Sequence, residues 1–117
     1  MLHLHCLPHR LTPTPIMAQN KGVDSVLCLS VNDCFVLDAW AASVNLPEDS
    51  LISCIADGLG KLTRCLSLDC WVPDSAMGTR CRRCALIVDD GLITHAFVEP
   101  DNHHVSVSSA DWVLKHL

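Results

Sequence analysis

The chain has 117 residues, enough for one domain around a single core and too few for two independent ones. Eight Lys and Arg against thirteen Asp and Glu leave a net charge of −5 with the seven His neutral, and the isoelectric point near 5.7 argues against a nucleic-acid partner. Apolar residues make up 50% of the chain, yet no run reaches the roughly 18 that a membrane-crossing helix needs, and Met1 to Arg10 interleave His with Leu in place of the basic start and apolar block of a secretory leader.

Residues 1–20 carry Pro8, Pro13 and Pro15 and show no helical or alternating period, which predicts an irregular arm. The packed domain is expected over 21–117. Val23 to Val31 becomes nearly continuous in apolar residues from Val26, the pattern of a strand buried on both faces of a parallel sheet. Asn32 and Asp33 stop it, and either can cap a following helix whose Val36, Ala39, Trp40 and Ser43 recur at three and four to give an inward face. A second strand, Leu51 to Ala56, ends at the turn pair Asp57-Gly58, and a short helix is predicted from about Lys61 to Leu66. Ala85 to Val88 and Leu92 to Val98 flank Asp89-Asp90-Gly91, a hairpin pattern that predicts antiparallel pairing. Ser108 with Asp111 has capping-box spacing before a final helix carrying Trp112, Val113 and Leu117. The order βαβα, hairpin, helix predicts an α/β fold with a mixed sheet of about four strands and flanking helices.

Eight cysteines stand at positions 6, 28, 34, 54, 65, 70, 81 and 84. Without a secretory leader they read as reduced thiols, several of them acting as small core residues in a chain with only five aromatics. Cys81-Arg82-Arg83-Cys84 is a C-x-x-C, a pattern shared by dithiol redox centres and half-sites for zinc. It leads into a strand, where residues three apart face opposite sides, and no helix N-terminus is there to lower a thiol pKa. A zinc set of Cys65, Cys70, Cys81 and Cys84 has four residues inside its first pair and places Cys65 on a helix. Arg80, Arg82 and Arg83 form the one dense basic cluster; alternation puts Arg80 and Arg82 on one face, where a guanidinium could hold an anion. His103-His104 reads as a solvated turn, and His3, His5 and His9 lack rigid ligand geometry. No phosphate-cradling glycine loop is present, and no Ser or Cys has a recognisable His partner.

Val26 to Trp40 (VLCLSVNDCFVLDAW) resembles the block SVNDxFVxxAW of the type II, or peroxiredoxin-5, group of peroxiredoxins. The similarity continues through Ile55 to Leu66 (IADGLGKLTRCL), Gly78 to Gly91 (GTRCRRCALIVDDG), and Val98-Glu99-Pro100 into Ser106 to Leu117, covering about residues 21–117. The resemblance implies a thioredoxin-like fold and the reduction of hydrogen peroxide and alkyl hydroperoxides with electrons from thioredoxin or glutaredoxin. It implies no cofactor and no metal. Family members often dimerise, which makes Trp112 and Trp71 candidate contacts. The cytoplasm is the default location with an organelle left open, since Lys115-His116-Leu117 is a poor approximation to a peroxisomal ending.

The group's attacking cysteine lies in a block PGxFTPxCS, and this sequence has none. If Leu7-Pro8 matches the Leu-Pro of the family's CSxxHLPG, then Cys6 takes the His place and Leu2 the place of the attacking cysteine, one helical turn away. Thr12-Pro13-Thr14-Pro15 resembles TPxC with proline for the cysteine, but too few residues follow it to build the family's next helix. Cys6 is therefore a weak candidate thiol. Two other positions carry over by resemblance. Arg80 matches the first arginine of the family's RSxRF block, which stabilises the thiolate and polarises the peroxide; here the block reads RCRRC, so Cys81 and Cys84 replace Ser and Phe. Cys28 matches the resolving cysteine of plant-like members, and Val107 occupies the other resolving position known in the group. The family's third strand, central in its sheet, is expected to be missing between Val26–Val31 and Ala85–Val88, leaving an open sheet and a chain with little peroxidase activity.

Overall fold

The computed structural model describes residues 2–5, 18–47, 50–73 and 76–117. Among the described residues the elements run in the order β1 (Leu2–His5), β2 (Ser25–Ser30), α1 (Cys34–Ser43), β3 (Ile52–Ala56), α2 (Lys61–Cys65), β4 (Asp69–Val72), β5 (Gly78–Cys81), β6 (Cys84–Asp89), β7 (Leu92–Val98) and α3 (Ala110–Leu114). Five strands make one sheet in the order β3-β2-β1-β6-β7, and β4 and β5 form a separate antiparallel ribbon. The architecture is α/β, with more strands than the four expected.

The expected opening in the middle of the sheet does not exist. Leu2–His5 fills it, pairing parallel with β2 from Leu2 opposite Ser25 to His5 opposite Cys28. On its other side the same strand pairs antiparallel with β6, from Leu2 opposite Val88 to His5 opposite Ala85. The start of the predicted irregular arm is thus the central strand. Leu-His-Leu-His alternates with a period of two, and the strand ends before Pro8, so no proline is asked to donate to the ladder.

Burial follows strand periodicity around this centre. β6 is buried on both faces: Cys84 and Leu86 join Leu29, Leu68 and Cys81 in one cluster, while Ala85 and Ile87 meet Val113 of α3 on the other. A third cluster of Ala18, Val23 and Leu114 closes the α3 side. Each large aliphatic group so buried stabilises by about 1.5–3 kcal/mol. The β6–β7 hairpin turns at Asp90 and Gly91, both in the left-handed region with φ of 48° and 77°. Two such residues in succession match the right-handed twist of the flanking strands.

Two helices differ from their sequence patterns. Asp33 caps α1, its carboxylate accepting from Val36 N at 2.9 Å, but the buried residue of α1 is Leu37. Val36, Ala39 and Ser43 are exposed and Trp40 is half-buried, because α1 lies against the sheet along a narrower line than the repeat suggested. At α3 the cap is Ser109, which accepts from Trp112 N at 3.3 Å; the neighbouring Ser108 is buried and committed elsewhere. Among the described residues no helix is long and apolar enough to cross a membrane.

Candidate functional site

Strands β1, β2 and β3 run parallel, so their carboxyl ends share one edge of the sheet. At that edge the loop after β3 lies against the loop after β2. Asp57 N donates to Ser30 O at 2.8 Å, and a Cβ on Gly58 would stand 3.6 Å from Asn32 O. Gly60 has φ of 63° and its missing Cβ leaves room for Arg64 and Val31, so the two loops approach closely. Asp57 then accepts from Thr63 N at 2.8 Å and Leu62 N at 3.2 Å, which satisfies the first turn of α2. Burial works against its charge, but these donors prevail and hold the carboxyl below its usual range.

Arg80 reaches this edge from β5. Its Nη1 donates to Val31 O at 2.6 Å and to Asn32 Oδ1 at 3.0 Å, and its Nε donates to Met77 O at 2.9 Å. Asn32 is itself oriented, its Nδ2 donating to Ser30 Oγ at 3.1 Å. Ser30, Asn32 and Arg80 therefore form a fixed chain across the strand ends. Among the described residues Nη2 of Arg80 makes no hydrogen bond. A guanidinium anchored by two nitrogens with the third left over is suited to hold an anion or polarise an oxygen.

The other two arginines point elsewhere. β5 ends at Cys81, so the alternation predicted to align Arg80 with Arg82 stops there. Arg82 reaches Glu99 O at 3.5 Å, and Arg83 donates from N to Asn102 Oδ1 at 2.8 Å and from Nη2 to Asn102 O at 3.2 Å. Both fasten the segment after β7. Glu99 organises that segment from within, being 1% exposed. Its Oε1 accepts from Ser106 N, Ser108 N and Ser108 Oγ at 2.7, 2.8 and 2.8 Å, and its Oε2 from Ser106 Oγ at 2.6 Å. Burial opposes the charge, yet four donors outweigh it and the carboxyl is held at about 2.

The described cysteines are all reduced. Cys81 and Cys84 do not face opposite sides as expected: the chain bends at Arg82-Arg83, both thiols enter one core cluster, and they hydrogen-bond each other. That contact and burial push the Cys84 thiol far up, the reverse of an activated redox thiol. Cys65 is exposed and Cys70 accepts from Asn102 Nδ2 at 3.0 Å. Among the described residues no three His, Cys, Asp or Glu groups converge to hold a metal. Cys28 is buried on β2, in register with Cys54 of β3 and with His5 of β1. Cys6, next in sequence after β1, lies outside the described residues, as do Thr12 to Pro15. Because Leu2–His5 is a strand, Leu2 is not on a helix one turn from Cys6, and the alignment that put it there is set aside.

Residues 16–114 match the family model described as Redoxin. The chain belongs to the Redoxin family. Within that family it is similar to Peroxiredoxin-2B of Arabidopsis thaliana, 43% identical over 99 residues that cover 85% of this chain and 59% of the relative. Peroxiredoxin-2E-2, chloroplastic, of Oryza sativa is 40% identical and covers 43% of its own length in the match. The chain thus spans about half the length of such relatives. Among solved structures, reduced Prx3 of Vibrio vulnificus in complex with H2O2 superposes with a TM-score of 0.82 at 33% identity, over 99% of this chain and 80% of that one. Peroxiredoxin 5 of Alvinella pompejana superposes with a TM-score of 0.74 at 27% identity, over 97% and 75%. This redoxin has the thioredoxin-like fold and is a type II or peroxiredoxin-5-like member.

Of the candidate positions, the structure puts Arg80 of β5 at the carboxyl edge of the parallel strands and Cys28 within β2, two residues before Ser30. Sequence reasoning missed that Asn32 orients Arg80, having read it only as a stop to the strand. It also missed that Cys28 faces Cys54. Both lie on strands, but their pairing depends on a register that no local pattern carries.

Proposed function

We propose that this redoxin is a thiol peroxidase acting on hydrogen peroxide and alkyl hydroperoxides, with thioredoxin or glutaredoxin as the source of electrons. In the reaction ROOH and two thiols give ROH, water and a disulfide. The observation that carries this reading is Arg80, anchored on Val31 O and Asn32 Oδ1 with Nη2 making no hydrogen bond among the described residues. A guanidinium there can polarise the O–O bond and stabilise a thiolate at the carboxyl edge of the parallel strands. The likeness to a peroxiredoxin found with H2O2 supports the same substrate.

Cys28 is proposed as the resolving-type thiol. Cys6 is the thiol to test as attacker, because it directly follows the central strand in sequence. Turnover by these 117 residues is proposed to be low, since no PGxFTPxCS block is present to give a thiolate of low pKa. The cytoplasm is the proposed location. A homodimer is proposed through Trp71 or Trp112, which are 71% and 41% exposed.

Peroxide consumption with a thioredoxin or glutaredoxin system, before and after blocking thiols with N-ethylmaleimide, tests the reading. A slow, thiol-dependent rate that falls further in Arg80→Lys is expected. Absent or thiol-independent turnover overturns the enzyme and leaves a redoxin that acts, if at all, by binding partners. A family-like rate abolished by Cys6→Ser overturns the proposed impairment instead.

A further inference from the structure

Cys28 and Cys54 are direct partners in the parallel register of β2 on β3. Adjacent strands run about 4.8 Å apart, so the two Cα atoms fall inside the roughly 4.4–6.8 Å window over which a disulfide closes. Partners in register also share a face, which sets the two side chains beside each other. Cys28 is 7% exposed while Cys54 is half-buried, which makes Cys54 the point of entry. Among the described residues β3 is an edge strand of the sheet, so it can shift the fraction of an ångström that bond formation asks. The C-x-x-C pair lacks this access, since Cys81 and Cys84 are both buried.

We propose that Cys28 and Cys54 form a dithiol–disulfide couple that exchanges with small disulfides of the glutathione type. The Cys54 thiol loses its proton to solvent, and its sulfur attacks one sulfur of the small disulfide. That S–S bond breaks, a first small thiolate leaves and takes up a proton, and Cys54 carries a mixed disulfide. Cys28 then deprotonates and attacks the Cys54 sulfur, and the second small thiol leaves. Two protein thiols are oxidised to one disulfide while one small disulfide is reduced to two thiols. Burial disfavours the thiolate of Cys54 and slows the exchange, but the product is uncharged and burial does not oppose it. The couple needs neither a peroxide nor an attacking cysteine, so it stands whether or not the chain reduces peroxide. It also makes the resolving-type thiol of Cys28 one that the sheet itself can sequester.

The test uses the whole chain, oxidised glutathione, and N-ethylmaleimide in denaturant to block the remaining thiols. Cleavage before aspartate releases residues 24–32 with Cys28, 33–37 with Cys34, and 49–56 with Cys54. Mass spectrometry is expected to find 24–32 joined to 49–56 as the main form of both fragments, separated by dithiothreitol and absent from Cys54→Ser. Unlinked fragments bearing maleimide or glutathione, or Cys28 joined to any other fragment, would overturn the proposal.

Discussion

Replacing Glu99 separates what its charge contributes from what its shape contributes. The carboxylate satisfies two backbone N–H groups and two hydroxyls, and it is all but closed to solvent. Glu99→Gln keeps the volume and leaves an oxygen for three of the four donors, while Ser106 Oγ can turn to accept from the new amide. The loss is then the charge assistance of bonds that each contribute about 1.5–3 kcal/mol when charged and about 0.5–1.5 when neutral, less than additive because three of them share Oε1. A net destabilisation of about 2 kcal/mol follows. Glu99→Ala strands both backbone donors and is expected to cost about 3–5 kcal/mol, a large fraction of the stability of a domain this size. Acid makes the distinction sharper. With the folded carboxyl at about 2 against an ordinary 4.5, its stabilisation is complete above about pH 4.5 and is lost as pH falls toward 2. Urea unfolding of the wild type and Glu99→Gln at pH 7, 4 and 3 should therefore show two curves that converge as acid is added. A constant difference across that range, or none at pH 7, would refute the account of a charged organiser.

Asp33→Ala removes the cap on Val36 N and should cost about 1 kcal/mol, lowering Tm by roughly 4–8 °C in calorimetry. Gly91→Ala meets no atom within 4 Å, so its expected cost of about 1–2 kcal/mol comes from forcing a Cβ onto φ of 77°, and chemical denaturation would read it. In the native chain iodoacetamide should label the exposed Cys34 and Cys65 first and the buried Cys81 and Cys84 only on unfolding; early labelling at Cys84 would show that the β5–β6 bend opens.

Local patterns carried β2, β3, β6 and β7, the hairpin at Asp90-Gly91 and the short helix after Asp57-Gly58, because each shows in neighbours in sequence. They failed where partners are remote. The four residues of β1 are too few to stand out beside three prolines, and what makes them a strand is an edge of β2 on one side and of β6 on the other. The β4–β5 ribbon was missed because its two strands have four residues each, too few to show a period. At the site, resemblance singled out Arg80 among three arginines, and it is the one of the three that donates to Val31 O and Asn32 Oδ1. The C-x-x-C was misjudged because strand alternation was extended across Arg82-Arg83, where the chain bends.

The position of β1 also sets an order of events in synthesis. Leu2 pairs with Val88, more than eighty residues further along the chain, so β1 cannot complete its ladder until β6 has been made. At about 5–20 residues per second that wait is roughly 4–17 s, during which β1 has only β2 to pair with. Closing so long a loop costs about 4 kcal/mol in chain entropy before the contacts of β6 repay it. The seam between β1 and β6 thus waits on the closure of a long loop, and a nascent chain stalled before Ala85 would present the edge of β1 to chaperones.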